Sequence, residues 1–162
     1  MIPRLIARAE KTLALVPAAL ALFALRVALA VPFFRSGLTK WDGFLTLAPS
    51  QAYLFANEFK LHILGTAYDY PAPTAAAFLA GLGEIILPIL LVLGLGTRFA
   101  ALGILVMTAI IQLTIPSGWA NFHLPWAAMA LVLMHSGPGA FSIDRMLFAR
   151  RDRLRSPQGV SA

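Results

Sequence analysis

The segment TAAAFLAGLGEIILPILLVLGL, residues 74–95, decides the fold of this chain, because its only charged side chain is Glu84. A helix of about 20 apolar residues matches the thickness of the hydrocarbon core of a bilayer. Three further segments, residues 12–34, 99–116 and 122–141, are similarly apolar. We therefore predict an all-α membrane protein with a bundle of four transmembrane helices.

The composition of the whole chain supports this prediction. Hydrophobic residues make up 59% of the sequence and charged residues 12%, whereas soluble domains carry about 25% charged residues. A soluble monomer of this composition would leave large apolar patches in water. The chain also has no cysteine, which excludes disulfides, thiol nucleophiles and thiolate metal sites.

The positive charges predict the orientation. Nine of the thirteen Lys and Arg residues precede the first span, lie in the 94–98 turn or follow the last span. Cytoplasmic flanks are rich in Lys and Arg, so we place both termini in the cytoplasm and expect no nucleic-acid partner. Residues 1–148 form one transmembrane domain in this interpretation, and residues 149–162 form a flexible, basic cytoplasmic tail. A signal peptide ending at residues 28–30 is the alternative for the N-terminus, although Arg26 interrupts it.

The long segment between the first two spans carries its own helix signal. Ser50 is a typical N-cap residue, and the sequence QAYLFANEFKLHI, residues 51–63, has a rough helical period of apolar residues. We predict a short amphipathic helix there, lying on the extracytoplasmic face of the bundle.

Two charged residues fall inside the predicted spans. Counted from opposite membrane faces, Arg26 and Glu84 each lie roughly 15 Å deep. Ionisable groups at this depth are costly and need a partner, and a guanidinium matches a carboxylate well. We therefore predict that Arg26 and Glu84 face each other. A buried ion pair that only fixes packing and a polar site for a ligand, proton or quinone fit this placement equally well.

Further polar residues gather toward the outer side of the predicted bundle. Arg26, Phe33 and Lys40 recur every seven residues, with Ala30 and Gly37 between them on one face of the first span. Together with Arg26 and Glu84, the candidate ligand-binding residues are Lys40, Arg35, Gln112, His123 and Trp126. Each of these taken alone fits interfacial anchoring, but together they predict an outward-opening pocket. His123 and His135 are too far apart on one helix to share a metal, so we predict no metal site.

These features resemble the DoxX family of small bacterial inner-membrane proteins with four helices. The matching stretches are LRVALAVPFFRSGLTKWDG at 25–43, PAPTAAAFLAGLGEIILPILLVLGLGTRFAAL at 71–102 and GPGAFSIDRML at 137–147. The resemblance covers about residues 20–148. It implies that Arg26, Gly37, Lys40 and Glu84 occupy the polar positions of the family.

The resemblance also implies possible functions as expectations. Relatives include a DoxD-type subunit of a thiosulfate:quinone oxidoreductase and proteins of oxidative-stress complexes. The stretches FANEFKLHILG (55–65) and GWANFHLPWA (118–127) are similar to a subgroup linked to copper stress and peptide modification. Family membership alone does not fix function.

Three functions therefore stay open at the level of sequence. The first is a redox- or stress-linked membrane subunit that binds a quinone or another small ligand, with electrons supplied by a soluble partner. The second is a non-enzymatic anchor for a soluble redox or metal-handling partner. The third is a small transporter or proton path using Glu84. The chain has no stand-alone catalytic motif, and the sequence leaves homo-oligomerisation open.

Overall fold

A computed structural model of the chain describes residues 2–147. Its helices are α1 (Ile2–Leu13), α2 (Ala18–Leu38), α3 (Pro49–Tyr53), α4 (Pro73–Leu93), α5 (Thr97–Thr114) and α6 (Leu124–Ser136). Two strands, β1 (Lys60–Ile63) and β2 (Thr66–Asp69), and two π-helical turns, Leu54–Glu58 and Trp119–His123, complete the main elements. The predicted tail, residues 149–162, lies outside the described residues.

Three helices, α2, α4 and α5, are long and apolar enough to cross a membrane. The predicted first span, which began at residue 12, is corrected at its start. Helix α1 ends at Leu13, and α2 begins at Ala18, directly after Pro17. The predicted fourth span is shorter than expected: α6 has 13 residues. The π-helical turn Trp119–His123 precedes α6 directly and lengthens its helical path.

The four longest apolar helices pack around one core. Helix α2 contacts α4 and α6, and α5 contacts α4 and α6. Small side chains let membrane helices approach closely, and alanines are prominent among the buried core residues, which are Leu29, Ala30, Phe33, Leu91, Ala100, Ala101, Ile104, Ala130 and Leu133. The residues of the predicted seven-residue stripe are all buried: Arg26, Ala30, Phe33 and Gly37 on α2, and Lys40 just after its end.

The register of α2 against α4 is staggered. A Cβ added to Gly37 would lie 2.9 Å from three atoms of Glu84, and a Cβ added to Gly94 would meet Arg26. Arg26 is therefore level with Gly94, ten residues or roughly 15 Å along α4 from Glu84. The predicted Arg26–Glu84 pair is wrong. Counting the depth of each residue from the end of its own helix requires α2 and α4 to begin and end at the same level, and they do not.

Arg26 instead holds carbonyl groups at one end of the bundle. Its side chain is fully buried, and Nη1 donates to the carbonyls of Leu91 at 3.1 Å and Val92 at 3.3 Å. Its Nη2 donates to the carbonyl of Phe141. The last carbonyls of a helix lack intrahelical partners and favour a nearby cation. Arg26 thus caps α4 and ties the segment after α6 to it.

Asp144 completes the same end of the bundle, which we call the turn end (residues 94–97 and 137–147). Its carboxylate accepts hydrogen bonds from the backbone nitrogens of Gly96 at 2.8 Å and Thr97 at 3.1 Å. The backbone nitrogen of Asp144 donates to the carbonyl of Gly94 at 2.9 Å. A carboxylate at a helix N-terminus satisfies free N–H groups, so Asp144 caps α5 and closes the α4–α5 turn.

The opposite end, which we call the hairpin end (residues 39–72 and 115–123), corrects two predictions. The predicted amphipathic helix ends at Glu58, and strands β1 and β2 pair antiparallel after it, so the fold is not purely helical. The strands are joined by Leu64 and Gly65, with φ values of 49° and 84°. Two successive positive φ values match a tight hairpin turn. The sequence Leu64-Gly65 was the feature that could have predicted this hairpin.

We expect Gly37→Ala to destabilise the protein, because the new methyl group would meet the backbone of Glu84. Overpacking of this kind costs about 1–3 kcal/mol. The matched control is Gly103→Ala, whose methyl would have side-chain atoms of Leu87, rather than backbone, as its nearest neighbours. Thermal unfolding in detergent should give a clearly lower Tm for Gly37→Ala than for Gly103→Ala. Equal Tm values would contradict the close approach of α2 and α4.

We expect Asp144→Ala to lower the free energy of unfolding by about 1 kcal/mol, the usual cost of a lost helix cap. Glu58→Ala removes an exposed carboxylate that makes no hydrogen bond within residues 2–147, and it should leave Tm unchanged. Both Tm values are measured in the same detergent. If Asp144→Ala melts like the Glu58 variant, the capping role is wrong.

Candidate functional site

The second buried charge, Glu84, pairs with Lys40. Lys40 Nζ lies 3.1 Å from Glu84 Oε2, and both side chains are less than a tenth exposed. The stagger of α2 explains this pair: Lys40 follows the end of α2 by two residues and so reaches the middle of α4. Gly81 provides the space, since a Cβ there would meet Trp41 and Lys40.

The ion pair leaves hydrogen-bonding capacity unused. Glu84 Oε2 is buried and lies close to the ammonium group, but the angle of the contact is not that of a hydrogen bond, and no other group among residues 2–147 donates to it. Buried polar atoms are nearly always hydrogen-bonded in native proteins. The carboxylate therefore has acceptor capacity that no group among residues 2–147 uses, although Oε2 itself is enclosed by the protein.

A cavity of about 840 Å³ lies beside the ion pair. Lys40 and Glu84 contribute to its wall, and α2, α4, α5 and α6 all line it. Trp126 forms the centre of an aromatic wall, with ring centroids 4.8 Å from Phe33, 5.8 Å from Phe122 and 5.5 Å from His123. Most of the lining is apolar, so the ion pair is a local polar site within an apolar chamber.

The hairpin end covers the cavity. Phe55, Phe59 and Tyr70 all line it. The ring of Phe55 lies 5.2 Å from that of Phe59 and 5.3 Å from that of Tyr70. The Tyr70 hydroxyl lies 2.6 Å from Thr114 Oγ1 at the end of α5. These three aromatic side chains were not among the predicted site residues, although the stretch FANEF carries two of them.

The cavity opens sideways, between α4 and α5. Leu79, Val106 and Ile110 line it, yet they are 66%, 53% and 46% exposed. Residues that both line a cavity and face outward mark its mouth. This mouth therefore lies between two helices, α4 and α5, that are apolar enough to span a membrane.

His123 belongs to a fixed hydrogen-bond chain at the cavity wall. Its Nδ1 lies 2.6 Å from Gln112 Oε1, and Gln112 Nε2 donates to the carbonyl of Pro116 at 3.3 Å. His123 lines the cavity, whereas Gln112 stands behind it. The imidazole packs tightly on Gly118, where a Cβ would lie 2.7 Å from Nε2.

Four of the seven predicted site residues therefore meet at one cavity: Lys40, Glu84, His123 and Trp126. Gln112 contacts this group through His123. Arg35 lies elsewhere, in a separate apolar groove of about 320 Å³ between α2 and α4, and Arg26 lies at the turn end. Within residues 2–147, no three His, Asp or Glu side chains are placed to hold one metal ion.

Comparison with known proteins agrees with these features. The DoxX family model matches residues 21–117, which is more than half of the chain. An uncharacterized protein of Haemophilus influenzae is 30% identical over 134 residues, covering 78% of this chain and 82% of that protein. No solved structure matches the chain. The apolar helices, the staggered polar stripe and the family match lead to one conclusion: the chain belongs to the DoxX family of membrane proteins.

Proposed function

We propose that this protein binds a lipid-soluble, quinone-like molecule in the cavity between α4, α5 and the hairpin end. The observation that carries the proposal is the buried Lys40–Glu84 pair on the wall of an apolar cavity with a lateral mouth. A quinone has an apolar ring and tail with a few oxygens, and such a molecule needs this combination of surfaces.

The size of the cavity argues against a purely structural ion pair. Protein interiors are close-packed, and voids larger than a water molecule are few. A pair that only fixed helix packing would need no open space beside it, whereas ligand pockets typically have about 300–1,000 Å³. The aromatic wall at Trp126 and Phe33 offers a flat surface for a ring.

The same reasoning extends to the membrane arrangement. The helical path from Trp119 to Ser136 would rise roughly 27 Å, so we propose it as the fourth span. The basic residues favour a cytoplasmic turn end and an extracytoplasmic hairpin end, in the inner membrane of a bacterium. The site then lies in the outer half of the bilayer.

A redox role would require a partner. The chain has no cysteine, so electrons exchanged with a bound quinone would pass to or from another protein. A link to oxidative or copper stress rests on the family resemblance alone. The alternative of a membrane anchor would use the basic tail, residues 149–162, which lies outside the described residues, or the helical segment of the outer loop, whose Phe55 lines the cavity. Homo-oligomerisation and a proton path through Glu84 stay alternatives that no contact favours.

Binding can be measured through Trp126. The chain has three tryptophans, so the variant Trp41→Phe/Trp119→Phe leaves Trp126 as the sole indole reporter at the cavity wall. We expect a short-chain ubiquinone analogue to quench its fluorescence saturably in detergent micelles. A tail-only lipid without the quinone ring should not reproduce the quenching.

The ion pair is tested in this background with the change Lys40→Met/Glu84→Leu. Replacing both charges by apolar groups is often neutral for stability, so loss of folding should not obscure the result. We expect the dissociation constant of the analogue to rise about tenfold, equivalent to about 1.4 kcal/mol. The control Arg35→Gln alters a charge outside the cavity and should leave binding unchanged. Quenching that never saturates, or that is equal in all variants, would exclude a quinone site here.

A further inference from the structure

We propose that the cavity selects a ligand that donates hydrogen bonds, so that the reduced hydroquinone binds more tightly than the oxidised quinone. The inference deepens the proposed function and rests on it. It comes from the direction of the hydrogen bonds at the hairpin end, which leaves acceptors facing the cavity.

The first acceptor is His123 Nε2. The carbonyl of Pro116 can only accept, so the bond from Gln112 fixes the amide group with Nε2 toward Pro116 and Oε1 toward His123. An amide oxygen also only accepts, and Nδ1 of His123 must therefore donate. In a neutral imidazole the other nitrogen is then an acceptor. No group among residues 2–147 donates to it.

The second acceptor is the Tyr70 hydroxyl. Thr114 Oγ1 donates to the carbonyl of Ile110 at 2.9 Å, which uses the single proton of that hydroxyl. In the bond between Tyr70 and Thr114 the threonine oxygen must therefore accept, and Tyr70 donates. The Tyr70 oxygen has lone pairs left but no further proton for a ligand.

The third acceptor is the Glu84 carboxylate, which lines the cavity and receives no hydrogen bond from residues 2–147; its Oε2 is enclosed beside Lys40. As the carboxylate partner of an ammonium group, Glu84 only accepts. Lys40 is the one buried donor beside it on the cavity wall among the described residues. A ligand hydroxyl at this point can donate to Glu84 and accept from Lys40. A quinone carbonyl can do only the second.

The helix register places Glu84 and the residue that holds His123 at different levels along α5. Close contacts of Gly83 with Met107 and of Gly103 with Leu87 fix the α4–α5 register, so Glu84 is level with Val106. Gln112, the partner of His123, lies six residues further along α5, roughly 9 Å away. A hydroquinone ring with a hydrogen bond of about 2.8 Å at each end bridges a gap of this order, and Trp126 stands beside it.

Ligand chemistry then separates the two redox states. Both hydroxyls of a hydroquinone donate, one to His123 and one to Glu84. A quinone carbonyl at the His123 end would instead oppose a lone pair, and one at the ion pair could only accept from Lys40, so acceptors that a hydroquinone satisfies would stay without a donor. The exposed hydroxyls of Ser36 and Ser117 at the rim can rotate to either role. Trp126 also lines the cavity, and its indole N–H only donates, so together with Lys40 it is what a quinone carbonyl could use.

The experiment uses the full-length protein with Trp126 as the sole tryptophan. The probes are 2-methyl-1,4-naphthohydroquinone under anaerobic reducing conditions, the corresponding quinone, and the 1,4-dimethyl ether of the hydroquinone. The ether keeps the ring and both oxygens but cannot donate. We expect the hydroquinone to bind at least tenfold more tightly than either of the other two.

Two variants assign the preference to the proposed acceptors. His123→Phe keeps an aromatic ring and removes Nε2, so hydroquinone affinity should fall about tenfold while affinity for the ether stays unchanged. Gln112→Leu removes the group that orients the imidazole, and it should lower hydroquinone affinity by a smaller factor, again without changing the ether. A merely structural defect would weaken both probes equally.

The outcomes are distinct. Tighter hydroquinone binding that depends on His123 supports the inference. Equal or tighter binding of the quinone overturns the inference and leaves the proposed quinone-like site standing. A hydroquinone preference that survives both variants overturns the assignment to His123. Failure of all three probes to bind saturably overturns the inference together with the proposed function.

Discussion

Gly37 lies so close to the backbone of Glu84 that no side chain fits between them, and this approach fixes α2 against α4. Pro88, four residues after Glu84, has no N–H group to bond the Glu84 carbonyl, and it is this carbonyl that Gly37 approaches. A helix residue advances by 1.5 Å and 100°. A shift of one residue would therefore turn Lys40 away from Glu84 and Arg26 away from the end of α4.

The register gives the two buried charges different surroundings. Arg26 uses both terminal nitrogens on backbone carbonyls at the turn end, where the interaction joins α2, α4 and the segment around Phe141. Glu84 lies beside an open cavity and has an oxygen with no donor. Judged by burial alone, Arg26 and Glu84 would be equally good candidates for a ligand site. Arg26 Nε also lacks a hydrogen-bond partner among the described residues, so it is the adjoining cavity that separates the structural charge from the one available to a ligand.

Sequence patterns predicted those features that depend on one helix at a time. The stripe of Arg26, Phe33 and Lys40 requires only helical periodicity, and all three residues are buried. The partner of Glu84 depends on where α2 and α4 start relative to each other. The hydropathy of each helix gives its length but not this relative shift. The β-hairpin was missed because Leu64 and Gly65 adopt positive φ values, which a leucine rarely does. Contacts such as His123 with Gln112 depend on how α6 returns against α5.

The surplus of acceptors at the hairpin end has a common origin in the end of α5. The last carbonyls of a helix have no intrahelical donors, and side chains around this end serve backbone carbonyls: His62 donates to Leu113, Thr114 to Ile110 and Gln112 to Pro116. Each of these bonds consumes a side-chain proton. The oxygens of Gln112 and Thr114 then accept from His123 and Tyr70, which leaves the remaining lone pairs of those two side chains at the cavity. In a bilayer no water is present to repair a mismatch. The unpaired carbonyls at the end of α5 thus determine which cavity groups accept: Gln112 orients His123, and Thr114 orients Tyr70.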